Sequence, residues 1–257
     1  MKEAQALLDG CGDPEFAPLY HARAFFHRET DPERALREYR AAARTDPDGW
    51  RNWFRLLEFC NRAGYVELAY EEGGRAAARY PDSLPIQVEY VRTLLERRDY
   101  REAADVLDNL TVLPSEGATG VHGLYVRTHL QLALEEIGSG ALKPAVDSLE
   151  RSMSYPEHLG TGRPYNPDLR MQQYLQALCF LRLGEKDKAE ALFDAIHRFS
   201  ELQGRQDKGP HAYCGGLVFR RRGKTVSSRA WLDRAERPSA DVLEALRLLE
   251  RKPLEIP

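Results

Sequence analysis

The segment DPERALREYRAAARTDPD (31–48) returns as YVELAYEEGGRAAARYPD (65–82) and, more loosely, as YREAADVLDNLTVLP (100–114). Ala35, Ala69 and Ala103 recur at an interval of 34, and Ala42 and Ala76 keep it, as do Pro47 and Pro81. The spacing has a steric reading. Alanine stands where two helices cross most closely, because a larger side chain would push their backbones apart. Tyr39, Gly73 and Leu107, four residues on, and Ala42, Ala76 and Leu110, seven on, share its helical face. Proline cannot continue a helix, so Pro47, Pro81 and Pro114 mark where the second helix of each copy stops. Gly64 and Gly184 stand where a first helix should end.

A 34-residue period with A-x3-aromatic spacing and a closing proline resembles the tetratricopeptide repeat (TPR). In the first copy Ala35, Tyr39, Ala42 and Pro47 carry the match. A fifth copy, YLQALCFLRLGEKDKAEALFDAI (174–196), matches with Phe180, Gly184, Ala189 and Phe193. A fourth copy around Ala145 and Leu149 and a sixth, AYCGGLVFRRRGKTVSSRAWLDRA (212–235), are looser. The resemblance implies an all-α fold, a TPR-like α-solenoid wound as a right-handed superhelix of antiparallel helix pairs. The expected organisation is a lead-in helix within 1–15, about six pairs over 16–236 with insertions near 118–168, and a capping helix and tail over 237–257. That last helix should run from Asp241 to Arg251 behind Ser239.

Composition narrows the function. The chain has 257 residues, 42% hydrophobic and 30% charged, with a formal net charge of −3. Its mean hydropathy of −0.56 and the lack of a run near ~20 apolar residues exclude a membrane span. A balance of 37 basic and 40 acidic residues leaves no footprint for bulk nucleic-acid binding. The first residues carry acids and no apolar core, so no secretory signal is expected. Cys11, Cys60, Cys179 and Cys214 form no CxxC pair, which fits a reducing compartment and a cytoplasmic location.

Solenoids of this kind bind along the first helix of each pair. Carrying the 34-residue register forward places Tyr20, Phe54, Val88 and His122 on one stripe, with Tyr174 and Tyr213 in the later copies. Flat rings there suit an extended peptide or a sugar, although helical aromatic stripes also serve as packing. Arg51, Glu58, Arg62, Arg92 and Arg182 are placed on the same surface, where guanidinium forks would take a carboxylate or phosphate. A second candidate is the Gly/Pro-rich connection from Pro156 to Asp168, which holds His158, Arg163 and Tyr165, with Glu116 as a neighbour.

Enzyme signatures are missing. There is no HExxH, no Cys/His metal spacing, no GxSxG and no P-loop, and the lone G-x-G of LGTGRP lacks a third glycine. No catalysis, metal or cofactor is expected.

LPSEGATG (113–120) and YPEHLGTGRPYNPDLRMQQYL (155–175) carry a narrower resemblance. They are similar to the C-terminal repeat region of a bacterial family that joins an N-terminal, β-rich, carbohydrate-enzyme-like domain of unknown function to TPRs. That β-rich part is not in this sequence, so the resemblance implies no sugar-processing activity here. The reading is a non-catalytic protein- or peptide-binding scaffold, or an assembly module for a neighbouring domain. The alternative is an accessory or oligomerisation region of a carbohydrate-active system, taking a glycan, an enzyme or a second copy. Neither nucleic acid nor membrane is an expected partner.

Overall fold

A computed structural model describes residues 2–12, 15–114, 118–203 and 208–250; Glu116 and Arg251 lie outside that range. Among the described residues the regular structure is entirely helical. After α1 (Lys2–Gly10) come six pairs: α2 (Ala17–His27) with α3 (Pro32–Thr45), α4 (Trp50–Ala63) with α5 (Val66–Arg79), α6 (Leu84–Arg97) with α7 (Tyr100–Asn109), α8 (Ala118–Gly138) with α9 (Leu142–Ser152), α10 (Arg170–Arg182) with α11 (Lys186–Gln203), and α12 (Pro210–Arg221) with α13 (Thr225–Leu232). A 3-10 turn (Glu157–Leu159) follows α9, and α14 (Ala240–Glu250) closes the described chain. The contacts sort into two compact units, 1–113 and 114–257.

Local chemistry sets the boundaries. Asp31 caps α3 by accepting the amide of Arg34 at 3.0 Å, with Pro32 in the first turn. The short turn inside a pair needs a left-handed residue, and Gly64, Gly140, Gly184 and Gly223 supply it with φ of 78°, 80°, 84° and 73°. In the third pair Arg98 takes the same conformation, at φ 67°, without glycine's freedom. The first pair is different. Its helices are joined by four residues, 28–31, and no left-handed residue.

The crossing alanines behave as their spacing predicts: Ala35, Ala69, Ala103, Ala145 and Ala189 are all fully buried. In the first unit, Leu57, Ala76 and Ile86 close the seam between the second and third pairs, and α4 lies directly against α6. Gly73 leaves a gap there that Tyr90 of α6 fills; a Cβ at Gly73 would stand 2.8 Å from the ring carbon Cδ2. The phenol of Tyr90 donates to Glu102 and stacks on Tyr70.

In the second unit one apolar cluster joins α8, α9, α10, α11, α12 and α14. Arg170, with no exposed surface, anchors the end of the long connection. It donates to both carboxylate oxygens of Asp168 at 2.9 and 2.6 Å and to Ser200 at 3.2 Å, with the rings of Phe199 and Trp231 at its flank. The last described helix, α14, packs against α8 and α10.

Candidate binding surface

The first helices of the first unit are tied edge to edge by side chains. His21 of α2 meets Asn52 of α4 at 2.7 Å, and the Asn52 amide donates to the Asp46 carbonyl at 2.8 Å. Nine residues along α4, Asn61 donates to the Glu89 carbonyl and carboxylate of α6, both at 2.9 Å, while Thr93 donates to Asn61 at 2.7 Å. These bonds fix the spacing of α4 and α6 from within, so the side chains beside them stand on a rigid base.

On that base Arg51 is exposed with its guanidinium 4.5 Å from the Trp50 ring, and Arg62 is exposed in the last turn of α4. Phe54 is half-buried, and Arg55 lies 5.5 Å above its ring. Glu58 is half-buried and accepts from Arg55 at 2.9 Å. Arg92 is exposed but committed: it reaches the side chain of Glu89, which is 6% exposed, at 3.0 Å. Its charge stabilises a buried carboxylate before it can serve a ligand.

Tyr20 is not on this stripe. Aligned by their first residues, α2 begins 33 rather than 34 residues before α4, so Tyr20 corresponds to Trp53 and His21 to Phe54. Tyr20 is buried against Ala17 and Ala42, at the edge of a hollow it shares with Glu15, Ala41, Arg44 and Thr45. The same shift brings Phe25, exposed and stacked against Arg28 at 4.2 Å, into line with Glu58. Spacing alone could not find His21 and Phe25. The available signal was Pro18, which stands in the first turn of α2 and fixes where that helix starts.

In the second unit Tyr174 of α10 is covered. It is 3% exposed, its ring lies 5.7 Å from Phe193, and its hydroxyl donates to Glu250 of α14 at 3.2 Å. Burial first, then the Glu250 charge, pushes its phenol far above the usual range. Tyr213 is half-buried against the same cluster, and Arg182 is exposed at the end of α10. His122 serves packing: its Nε2 donates to the Ser154 carbonyl at 2.9 Å, and its ring stacks on Tyr155 with centroids 4.2 Å apart.

The 156–168 connection does not gather its three candidates. Leu159 is fully buried and Asp168 is gripped by Arg170, which fixes both ends. Between them Tyr165 and Arg163 are exposed, while His158 is half-buried with its Nε2 shielded and unbonded. No hydrogen bond or ring contact among the described residues joins the three. Among those residues, too, no group of three His, Cys, Asp or Glu could hold a metal ion.

No protein-family model and no curated protein matches the chain. Solved structures do. A structure described as MamA protein aligns with a TM-score of 0.50 at 16% identity, over 74% of this chain and 95% of that one. The fold is TPR-like. Looser likenesses are PilW, described as a widely conserved type IV pilus biogenesis factor (TM-score 0.44, 16% identity, 90% of this chain and 98% of that), and TPR-like repeats of a kinesin light chain from Podosopora anserina (TM-score 0.40, 15% identity, 79% and 97%). At these identities the likeness concerns the fold. No described helix is long and apolar enough to cross a membrane.

Proposed function

We propose that the chain is a non-catalytic protein-interaction scaffold, and that its first unit takes an extended, acid-bearing peptide along the faces of α2, α4 and α6. One observation carries this reading: side-chain hydrogen bonds lock those helices together beneath a row of half-open rings and exposed guanidinium groups, His21, Phe25, Arg51, Phe54 and Arg62. The rings supply area to a flat peptide at low entropic cost. Arg51 and Arg62 offer bidentate donors to carboxylates. Among the sequence candidates, Arg51, Phe54 and Arg62 carry the proposal; Glu58 and Arg92 shape the surface through their own ion pairs.

The test is affinity capture with Arg51→Glu and Arg62→Glu, two exposed positions whose reversal leaves the packing intact. The captured partner should bind the double variant at least tenfold more weakly, with unchanged helix content by circular dichroism. Capture at full strength refutes the face. Arg92→Glu is unsuitable, since it sets a second carboxylate against buried Glu89. The carbohydrate-linked alternative predicts retention on a glycan array instead.

A further inference from the structure

The helix that ends the described chain sits where a ligand of the second unit would sit. Its buried residues are Val242, Ala245, Leu246 and Leu249, an i, i+3, i+4, i+7 stripe. They enter the cluster that holds Ala133, Leu134 and Ile137 of α8 and Tyr174 and Leu178 of α10. Tyr174, the residue that the repeat register puts on the binding stripe, is the one whose hydroxyl donates to Glu250. Part of the stacking runs outside α14: α9 joins α8 to α10, and α10 meets α11 and α12 directly. Its connection to α13 is the stretch 233–239, in which Asp233, Glu236, Arg237 and Ser239 are exposed.

We propose that the face formed by α8 and α10 is a receptor for an amphipathic helix of a partner protein, with α14 as its resident, displaceable ligand. This site is built from the second unit alone and stands or falls separately from the peptide face of the first. The resident helix states what a partner must offer. It needs two turns of apolar residues at i, i+3, i+4 and i+7, a small one at i+3 to match Ala245, and a carboxylate after the last apolar residue for Tyr174. The mode is the helix-in-groove type. A short tether gives α14 an effective concentration of about millimolar, so only a partner that outcompetes it gains the site.

The experiment uses the full chain in two forms, wild type and Leu246→Glu/Leu249→Glu, which dislodges α14 without removing it. The probe is a fluorescein-labelled peptide of residues 239–250, followed by anisotropy. Peptide binding to the double variant, at least tenfold tighter than to wild type and abolished by the same two changes in the peptide, supports the proposal. Three results overturn it. In the first, the double variant keeps its helix content and ignores the peptide. In the second, both chains bind the peptide equally. In the third, the second unit loses cooperative melting, which would make α14 part of its core. Sedimentation of the wild type adds a last check, because a concentration-dependent dimer that exchanges α14 would replace the partner with a second copy. The Arg51→Glu/Arg62→Glu chain should bind the probe as wild type does, which separates failure here from failure of the peptide face.

Discussion

Gly73 and Gly74 are neighbours in the middle of α5, yet replacing each with alanine should move stability in opposite directions. Both substitutions gain the same helix propensity, about 1 kcal/mol. At Gly74 the new Cβ would meet Tyr90 at 3.5 Å from the hydroxyl and 3.8 Å from Cζ, ordinary contacts, so most of that gain survives. At Gly73 it would stand 2.8 Å from Cδ2 of the same ring and 3.5 Å from Leu57. The ring has nowhere to go: it is 6% exposed, stacked on Tyr70, and held by Glu102. Overpacking of this kind costs about 1–3 kcal/mol, which leaves Gly73→Ala destabilised by roughly 0–2 kcal/mol once the same propensity gain is subtracted. The two variants should therefore differ by about 1–3 kcal/mol in urea unfolding, with Gly74→Ala above wild type. A third chain makes the cause explicit. In a Tyr90→Leu background the clash is gone, so Gly73→Ala should become stabilising, with a coupling of at least about 1 kcal/mol in the double-mutant cycle. Equal stabilisation by both alanines, or no coupling to Tyr90, would refute the reasoning.

Other expectations are briefer. Arg98→Gly relieves a left-handed backbone at an exposed position and should stabilise the first unit by about 1 kcal/mol in the same titration. Arg170→Met takes the guanidinium from Asp168, which keeps the residue-170 amide at 3.3 Å and His211 at 3.8 Å, and should cost the second unit about 3 kcal/mol, the lower end for a broken buried pair because the Asp168 side chain is one-third exposed. Burial works to raise the pKa of Asp168, but the Arg170 hydrogen bonds and charge outweigh it and hold the carboxyl below its usual range. A depressed carboxyl contributes stability above its unfolded pKa, about 3.9, and loses it as pH falls through the folded value. Asp168→Asn should therefore flatten the acid limb of a stability-versus-pH curve. Burial raises the thiols of Cys60, Cys179 and Cys214 to about 12, so in the native protein at pH 8 a thiol reagent should label exposed Cys11 and reach the others only after unfolding.

Much of the architecture could be read from alanines and prolines, because close helix crossing tolerates few alternatives. The buried row from Ala35 to Ala189 carries that information without any long-range term. The surface was harder. A repeat register assumes that every first helix starts at the same interval, and α2 begins 33 rather than 34 residues before α4, which puts Tyr20 in the packing and His21 on the face. Arg92 looked like a ligand donor because the sequence does not reveal that Glu89 is buried beside it. Docking of the C-terminal helix was legible as amphipathicity but not as destination, since an apolar stripe does not specify which apolar surface receives it.

Arg23 offers a consequence of a different kind. It is 6% exposed in α2, and its guanidinium donates to the carbonyls of Leu8 in α1, at 2.9 Å, and of Gly12 just beyond it. Every residue carries a carbonyl, so no substitution at 8 or 12 removes either acceptor. The lead-in helix is thus docked partly by its backbone, and Asp9 adds a side-chain tie, accepting from Arg34 at 2.5 Å and lying 3.4 Å from His27. A substitution at Leu8 therefore leaves that part of the attachment in place, whereas losing the segment through Gly12 would take both carbonyls from buried Arg23 and leave it to Glu38, 4.0 Å away.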